Sequence, residues 1–393
     1  MPQTHRFLRL VLHILFFLSG IVTVLIGQVL PVFARHFSLS DLQVSYFFPA
    51  QFTGSIAGTY FTSRFARRNN YLAASVIGGV LMVGGILLMN VDLFSVCLVG
   101  FLINGIGIGM TLPSINMLVL EMDPERSASA LSILNFCWGV GAIVCKPFVD
   151  MFSTPDSIGA TTVILAAPIL IASLLLLFVN RDFETINQTT ATTDDDDTTP
   201  IWRQPIAWLI ALFNLIHVGF ESGIGGWLTT YTGRLDGEPI VHWISPTLLY
   251  FLFFVIGRGA APVLFRYLNE NKMLLLGLGL VLIGMIVVLS ARTVLGLSVG
   301  ATIAGFGTSW IFPTNVSRFY KTFGPSASRR STPLFIAGTL GAAGSTWLIG
   351  FISDRTGSLN SGMYVLIISV VLLIALQIGL GARANRQAER STV

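Results

Sequence analysis

Residues 100–116, GFLINGIGIGMTLPSIN, and residues 300–316, GATIAGFGTSWIFPTNV, carry glycines and a proline at the same places. Gly100, Gly105, Gly107 and Pro113 in the first stretch answer to Gly300, Gly305, Gly307 and Pro313 in the second. The echo continues outward: Gly79, Gly84 and Gly141 recur as Gly279, Gly284 and Gly341, again 200 residues on. Six of the 15 glycines in residues 1–193 have such a mate, where ordinary composition would give roughly two. Both stretches lie in apolar runs that recur in the same order. The spacing therefore predicts a membrane bundle duplicated in tandem, the construction that places a central site between two half-domains.

The composition agrees. Of 393 residues, 53% are hydrophobic and 11% charged, too few polar groups to cover a water-soluble surface. About twenty apolar residues cross a hydrocarbon core of roughly 30 Å. Twelve segments of that kind are predicted: 7–33, 44–63, 71–90, 93–120, 127–151, 158–180, 204–232, 242–265, 273–291, 294–319, 331–353 and 361–382. The expected fold is all-α, two six-helix bundles at 1–180 and 204–393 joined by a linker at 181–203. That linker is polar and holds Asp194, Asp195, Asp196 and Asp197 in a row, so it is expected to be a solvated tether. The first segment is too long for a secretory signal and is expected to remain in the mature chain.

Lys and Arg set the orientation. With the N-terminus in the cytoplasm, 17 of them fall on the cytoplasmic side and only Arg35, Arg234, Arg292 and Arg355 outside. Both termini are therefore expected in the cytoplasm, in the inner membrane of the cell. The formal net charge of +4 reads as this topology bias and implies no nucleic-acid partner. Cys97, Cys137 and Cys145 all lie in apolar segments, as small core residues with neither disulfide nor metal-ligand spacing. No phosphate loop, zinc motif or nucleophile elbow occurs, which argues against an enzyme or an ATP-driven pump and implies no cofactor. In the seventh segment Gly223, Gly225 and Gly226 weaken the helix near its outer end, where a bend or gate is expected.

These features resemble the major facilitator superfamily, whose members have two six-helix halves around a central cavity. The loop between the second and third segments keeps the basic residues of the superfamily pattern as Arg64, Arg67 and Arg68. Ser63 stands where the pattern has aspartate and Ala66 where it has glycine. Within the superfamily the chain is similar to fucose-permease-like and sodium-dependent-glucose-transporter-like sugar carriers. The stretches that carry this are Pro113 to Asn116, Gly219 to Ser222, Trp227 to Tyr231, Gly257-Arg258, Trp347 to Gly350 and Ser353 to Gly357. Where fucose-permease-like proteins have an acid near the end of helix one, this chain has Gly27-Gln28, and helix four has Thr111 and Leu112 where an acid is expected.

Ionisable groups inside the segments stand out because lipid makes them costly. His217 and Glu221, four apart, share one face of the seventh segment and read as a proton-coupling pair or as a polar spot tying helices together. Arg258 in the eighth segment needs a counter-charge, a substrate group or a water-filled cavity. A link to Glu221 is the attractive one, which makes Arg258 a third candidate for ion coupling, the alternative being an ion pair that only braces the second half. Lys146 and Asp150, also four apart, read as a local pair in the fifth segment. A sugar site needs amides for hydroxyls and flat rings for the C–H face. Candidates are Gln28, Gln51, Asn116, Asn135 and Trp138 in the first half, and Asn214, Trp227, Trp310 and Asn315 in the second. Such amides also glue helices together in lipid. The superfamily resemblance implies that helices one, four, seven and ten line the cavity, which favours Gln28, Asn116, Asn214 and Asn315.

The sequence thus reads as a monomeric secondary carrier surrounded by lipid, moving a neutral sugar by alternating access with proton or sodium coupling. An efflux carrier for amphipathic compounds or lipids, and an organic-anion carrier using Arg258 and Lys146, are the alternatives. A membrane receptor or scaffold is disfavoured by the lack of sizeable loops.

Overall fold

The computed structural model describes residues 3–66, 68, 70–122, 127–178, 201–235, 244–323 and 330–391. The chain forms two compact units, Met1–Asp194 and Asp195–Val393. The first holds α1 (Gln3–His36), a short α2 (Asp41–Ser45), α3 (Phe47–Ala66), α4 (Tyr71–Leu88), α5 (Phe94–Met122), α6 (Ser127–Phe152) and α7 (Gly159–Leu175). The second holds α8 (Pro205–Thr232), α9 (Pro246–Leu264), α10 (Glu270–Ser290), α11 (Val294–Thr308), α12 (Ile311–Phe323), α13 (Thr332–Thr356) and α14 (Leu359–Ser391).

Helix starts follow local chemistry. Asn70, Ser245, Asn269 and Thr293 precede α4, α9, α10 and α11, and each side chain accepts a backbone N–H of the first turn. Gly357 ends α13 in the left-handed conformation, φ 68°.

Eleven of the twelve predicted segments are long and apolar enough to cross a membrane among the described residues. The segment predicted at 44–63 is α3, long enough but carrying Gln51, Thr53, Ser55, Thr59, Thr62 and Ser63, which lower its apolarity. The segment predicted as one run at 294–319 is two helices, α11 and α12, interrupted at Ser309 and Trp310. At Gly223, Gly225 and Gly226, the place expected for a bend or gate, α8 is not interrupted and stays helical through Thr232. Those glycines make room for neighbours instead, Leu366, Ile349 and Ser345 at Gly223 and the Phe251 ring at Gly225.

Residues 181–200 of the predicted tether lie outside the described residues. Ile201–Arg203 forms a short turn on the second unit, where Ile201 packs with Ala207, Ile210, Phe319 and Leu334. The indole of Trp202 donates to the Arg330 carbonyl at 2.8 Å.

Most of the repeated glycines are where backbones touch; Gly84 and Gly279 instead face open space. A Cβ on Gly105 of α5 would overlap the Gln51 carbonyl oxygen of α3, and one on Gly305 of α11 would overlap the Tyr250 carbonyl of α9. Gly107 meets the Gly78 carbonyl of α4 as Gly307 meets the Gly277 carbonyl of α10. Gly141 meets Phe17 of α1 as Gly341 meets Leu215 of α8. Lipid supplies no hydrophobic drive between helices, so this close approach is what gains van der Waals energy. Substitution of Gly305 by Val should therefore lower the apparent melting temperature in detergent by several degrees, an overpacking cost of about 1–3 kcal/mol or more. Gly84→Ala, facing open space, should leave it unchanged in the same fluorescence melt.

Candidate functional site

The proline at 113 and again at 313 removes one N–H from its helix, so the carbonyl four residues earlier loses its usual partner. In a membrane that oxygen must find another donor. In the first unit the Gly109 carbonyl accepts from the Thr62 hydroxyl of α3 at 3.2 Å, and α5 runs on unbroken. The same hydroxyl reaches the carbonyls of Gly58 at 3.1 Å and Met110 at 3.3 Å. In the second unit the Ser309 carbonyl accepts from Nε of Arg258 on α9 at 3.3 Å, and the helix breaks there. The Arg258 guanidinium also lies 4.1 Å over the Phe254 ring.

The hydroxyls of Thr229 and Thr247 meet at 2.8 Å, and Gly225 faces Phe251, so α8 and α9 run antiparallel in a fixed register. Counting down that register brings Glu221 level with Phe254 and the turn bearing Arg258. His217 Nε2 stands 3.6 Å from Glu221 Oε2, with the histidine side chain 1% exposed and the carboxylate 23%. Among the described residues neither ring nitrogen of His217 has a hydrogen-bond partner, and the hydroxyl of fully buried Tyr250 lies near Thr308 and Glu221. The same register sets Glu221 near the Arg258 guanidinium and the Tyr250 phenol of α9.

The expected Arg258–Glu221 ion pair is not made as a direct contact: among the described residues the acid's ion pair is with His217 of its own helix, and Arg258 bonds the Ser309 carbonyl. The Lys146–Asp150 pair forms as the four-residue spacing predicts.

The amides and indoles expected around a substrate take different places. In the second unit each donates to a backbone carbonyl of another helix. Asn214 reaches Leu334 at 2.9 Å, Asn315 reaches Ile210 at 3.2 Å, Trp227 reaches Thr346 at 3.0 Å and Trp310 reaches Met273 at 2.9 Å. In the first unit Gln28 and Gln51 are buried in α1 and α3, and Gln51 donates to the Thr23 carbonyl at 3.4 Å. Asn116 and Asn135 turn back onto their own helices, to Leu112 at 2.9 Å and Leu131 at 2.8 Å. Trp138 is half-buried, its backbone against Gly20 of α1.

Several polar groups went unnoticed in the sequence. Asn104 is buried with neither amide atom hydrogen-bonded, and the Thr111 and Ser114 hydroxyls are likewise unpartnered. Asn104 has a signal in hindsight, an amide inside the repeated glycine stretch whose mate is Ala304. Tyr250 has none, sitting in an apolar run. At one end of the second unit Arg318 donates to Gln377 at 2.7 Å, Gln377 to Asn271 at 3.2 Å, and Lys321 to Glu270 at 2.5 Å, joining α10, α12 and α14.

Two open pockets occupy equivalent junctions of the repeat. One, of about 220 Å³, is lined by His36, Asp92 and Asp156. The other, of about 620 Å³, is lined by Arg234, Arg292 and Asn360. The charge at the matched position, Asp92 against Arg292, is reversed. Neither pocket includes a residue predicted to bind substrate.

A family model described as Major Facilitator Superfamily matches residues 12–332. The chain belongs to the major facilitator superfamily. It is thus a multi-pass membrane transporter for a small-molecule substrate and not an enzyme. This superfamily member is 22% identical over 349 residues to the sodium-dependent glucose transporter 1 of Xenopus laevis, spanning 77% of this chain and 70% of that protein. Its fold resembles the nucleoside transporter NupG, with TM-score 0.75, 14% identity and coverage of 95% of this chain and 98% of that one. It also resembles a variant of the E. coli fucose:proton symporter FucP, with TM-score 0.62, 18% identity and coverage of 96% and 99%. The peptide transporter POT in complex with sulfate is similar at TM-score 0.78, 12% identity and coverage of 96% and 94%.

Trp227 provides a direct check on the bracing role. Trp227→Phe keeps a large ring in a site that is 0% exposed but loses the bond to Thr346. The loss of about 1 kcal/mol expected for one hydrogen bond should appear as a small drop in melting temperature. A substrate contact would instead appear as a raised KM with melting unchanged.

Proposed function

We propose that this superfamily member carries a neutral polar solute of the sugar class by alternating access, coupled to a cation gradient through His217 and Glu221. The reading places both termini in the cytoplasm, on the strength of the 17-to-4 distribution of Lys and Arg, and the protein in the inner membrane as a monomer. The observation that carries the coupling is the His217–Glu221 pair: a carboxylate in an apolar helix, 3.6 Å from a buried imidazole with no hydrogen bond on either nitrogen among the described residues. An imidazole one helical turn from a carboxylate is a ready partner for passing a proton. The pair thus favours a proton as the coupling ion, while the name of the Xenopus laevis relative keeps sodium as the alternative.

The sugar class is supported by that relative's name. Gln28, Gln51, Asn116, Asn135, Trp138, Asn214, Trp227, Trp310 and Asn315 are amides and indoles of the types that serve hydroxyls and ring faces. Seven of them would have to exchange the backbone bonds they hold here for bonds to the solute. The organic-anion alternative loses support. Arg258 is bonded to Ser309 and stacked on Phe254, and Lys146 is paired with Asp150, so both intramembrane cations have partners.

In proteoliposomes, Glu221→Gln should abolish uphill accumulation, leaving an accumulation ratio of about one, while exchange of labelled substrate for unlabelled persists. Uphill transport at normal rates in that variant would remove the coupling role. Thermal stabilisation across sugars, organic acids and amphipathic drugs should give a sugar hit that Asn116→Ala and Trp138→Ala weaken. Stabilisation by organic anions alone, lost in Arg258→Gln, would overturn the sugar reading.

A further inference from the structure

We propose that Arg258 is a positioning residue shared between two acceptors, the Ser309 carbonyl and the Glu221 carboxylate, and that the protonation of Glu221 decides which one holds it. The inference rests on Glu221 as a titrating group, and it adds where the proton's effect is felt: the α11–α12 joint.

The two halves contain the same joint built two ways. In each, a proline frees a carbonyl and the neighbouring helix supplies the cap. Gly58 of α3 lies against the backbone of Ile106 and Gly109 of α5, and Gly257 of α9 against the Phe306 carbonyl of α11 and the Ser309 side chain just beyond it. Close approach at those glycines brings the capping side chain to the freed carbonyl. In the first unit the cap is Thr62, a neutral hydroxyl within reach of three carbonyls. Nothing there can be switched by charge. In the second unit the cap is a cation making a single long bond, 3.3 Å from Nε, beside a carboxylate within charge reach.

The competition follows from the chemistry of the acceptors. A protonated Glu221 is neutral and offers Arg258 no more than the carbonyl does, so the guanidinium stays on Ser309. An ionised Glu221 offers a charge-assisted bond, stronger than one to a neutral oxygen and little screened in the membrane interior. The guanidinium is then drawn to α8, and the Ser309 carbonyl loses its donor. A carbonyl without a donor in that setting loosens the already broken turn at Ser309 and Trp310. Among the described residues, the titratable or charged groups facing Glu221 are His217 on its own helix and Tyr250 and Arg258 on α9. From α13 the nearby polar group is the Ser345 hydroxyl, beside Gly219 and Gly223. From α12, Arg318 sits farther along α8, 5.9 Å from the Phe213 ring.

Hydrogen–deuterium exchange of the segment 306–316 in the purified full-length protein tests this without any substrate. Arg258→Gln should speed exchange there about tenfold, the effect of losing one hydrogen bond. Adding Pro313→Ala should slow it again, since the helix then has its own donor to Ser309. Glu221→Gln should make exchange slower than in the unaltered protein. It should also abolish the loosening expected of the unaltered protein as rising pH ionises Glu221, after correction for intrinsic chemistry. If Arg258→Gln speeds exchange but the segment ignores both Glu221→Gln and pH, Arg258 is a fixed brace and the proposal fails. No change in Arg258→Gln also defeats it. Should that variant not fold, the Glu221→Gln and pH comparisons decide alone. Loss of uphill accumulation in Glu221→Gln with no change at 306–316 would spare the coupling role and reject this inference. The reverse pattern would do the opposite.

Discussion

Helices in lipid hold together only as well as their backbones can approach, and this one constraint shapes both units. Leucine gains little by leaving acyl chains for another helix, so contact depends on removing side chains from the seam. The glycines at 105, 107 and 141, and at 305, 307 and 341, do that at matching seams. With backbones in contact, polar side chains reach across to carbonyls of the next helix, as Asn214, Trp227, Trp310 and Asn315 do. The seam comes first, and these bonds are possible because of it.

Legibility in the sequence divides along the same line. The glycine spacing foretold the duplication, because a missing side chain at a seam leaves a visible mark; which helices meet at each seam came from the fold. The duplicated all-helical architecture and the family could be read from it. The interruption at Ser309 and Trp310 could not, since Pro113 and Pro313 look identical in sequence while α5 continues and α11 stops. What differs beside the prolines is the pair Gly109-Met110 against Ser309-Trp310 and the donor from the next helix, Thr62 in one case and Arg258 in the other. A pattern read along one helix carries only the first of these.

Site residues were harder to read for a related reason. Composition marks an amide or an indole in an apolar helix as unusual but does not say where its donor goes. The donors of Asn116 and Asn135 return to their own helices, and those of four residues in the second unit bridge to others. Short-range spacing fared better: Lys146 with Asp150 and His217 with Glu221 lie one helical turn apart, where geometry leaves little choice. The inferred Arg258–Glu221 link crossed between helices and met a competitor that only the fold reveals.

Arg258 and Pro313 also bear on how such a sequence can drift. Replacing the arginine alone strands a carbonyl in hydrocarbon. Replacing the proline alone restores the helix's own donor and leaves a buried cation with a weaker claim on that oxygen. Each change is tolerable mainly in the company of the other, which makes the two positions an epistatic pair although they lie 55 residues apart and on different helices. The first half, with a threonine against its proline, shows the neutral arrangement to which such a pair could resolve. A duplicated ancestor could thus hold one joint inert while the other became free to acquire charge.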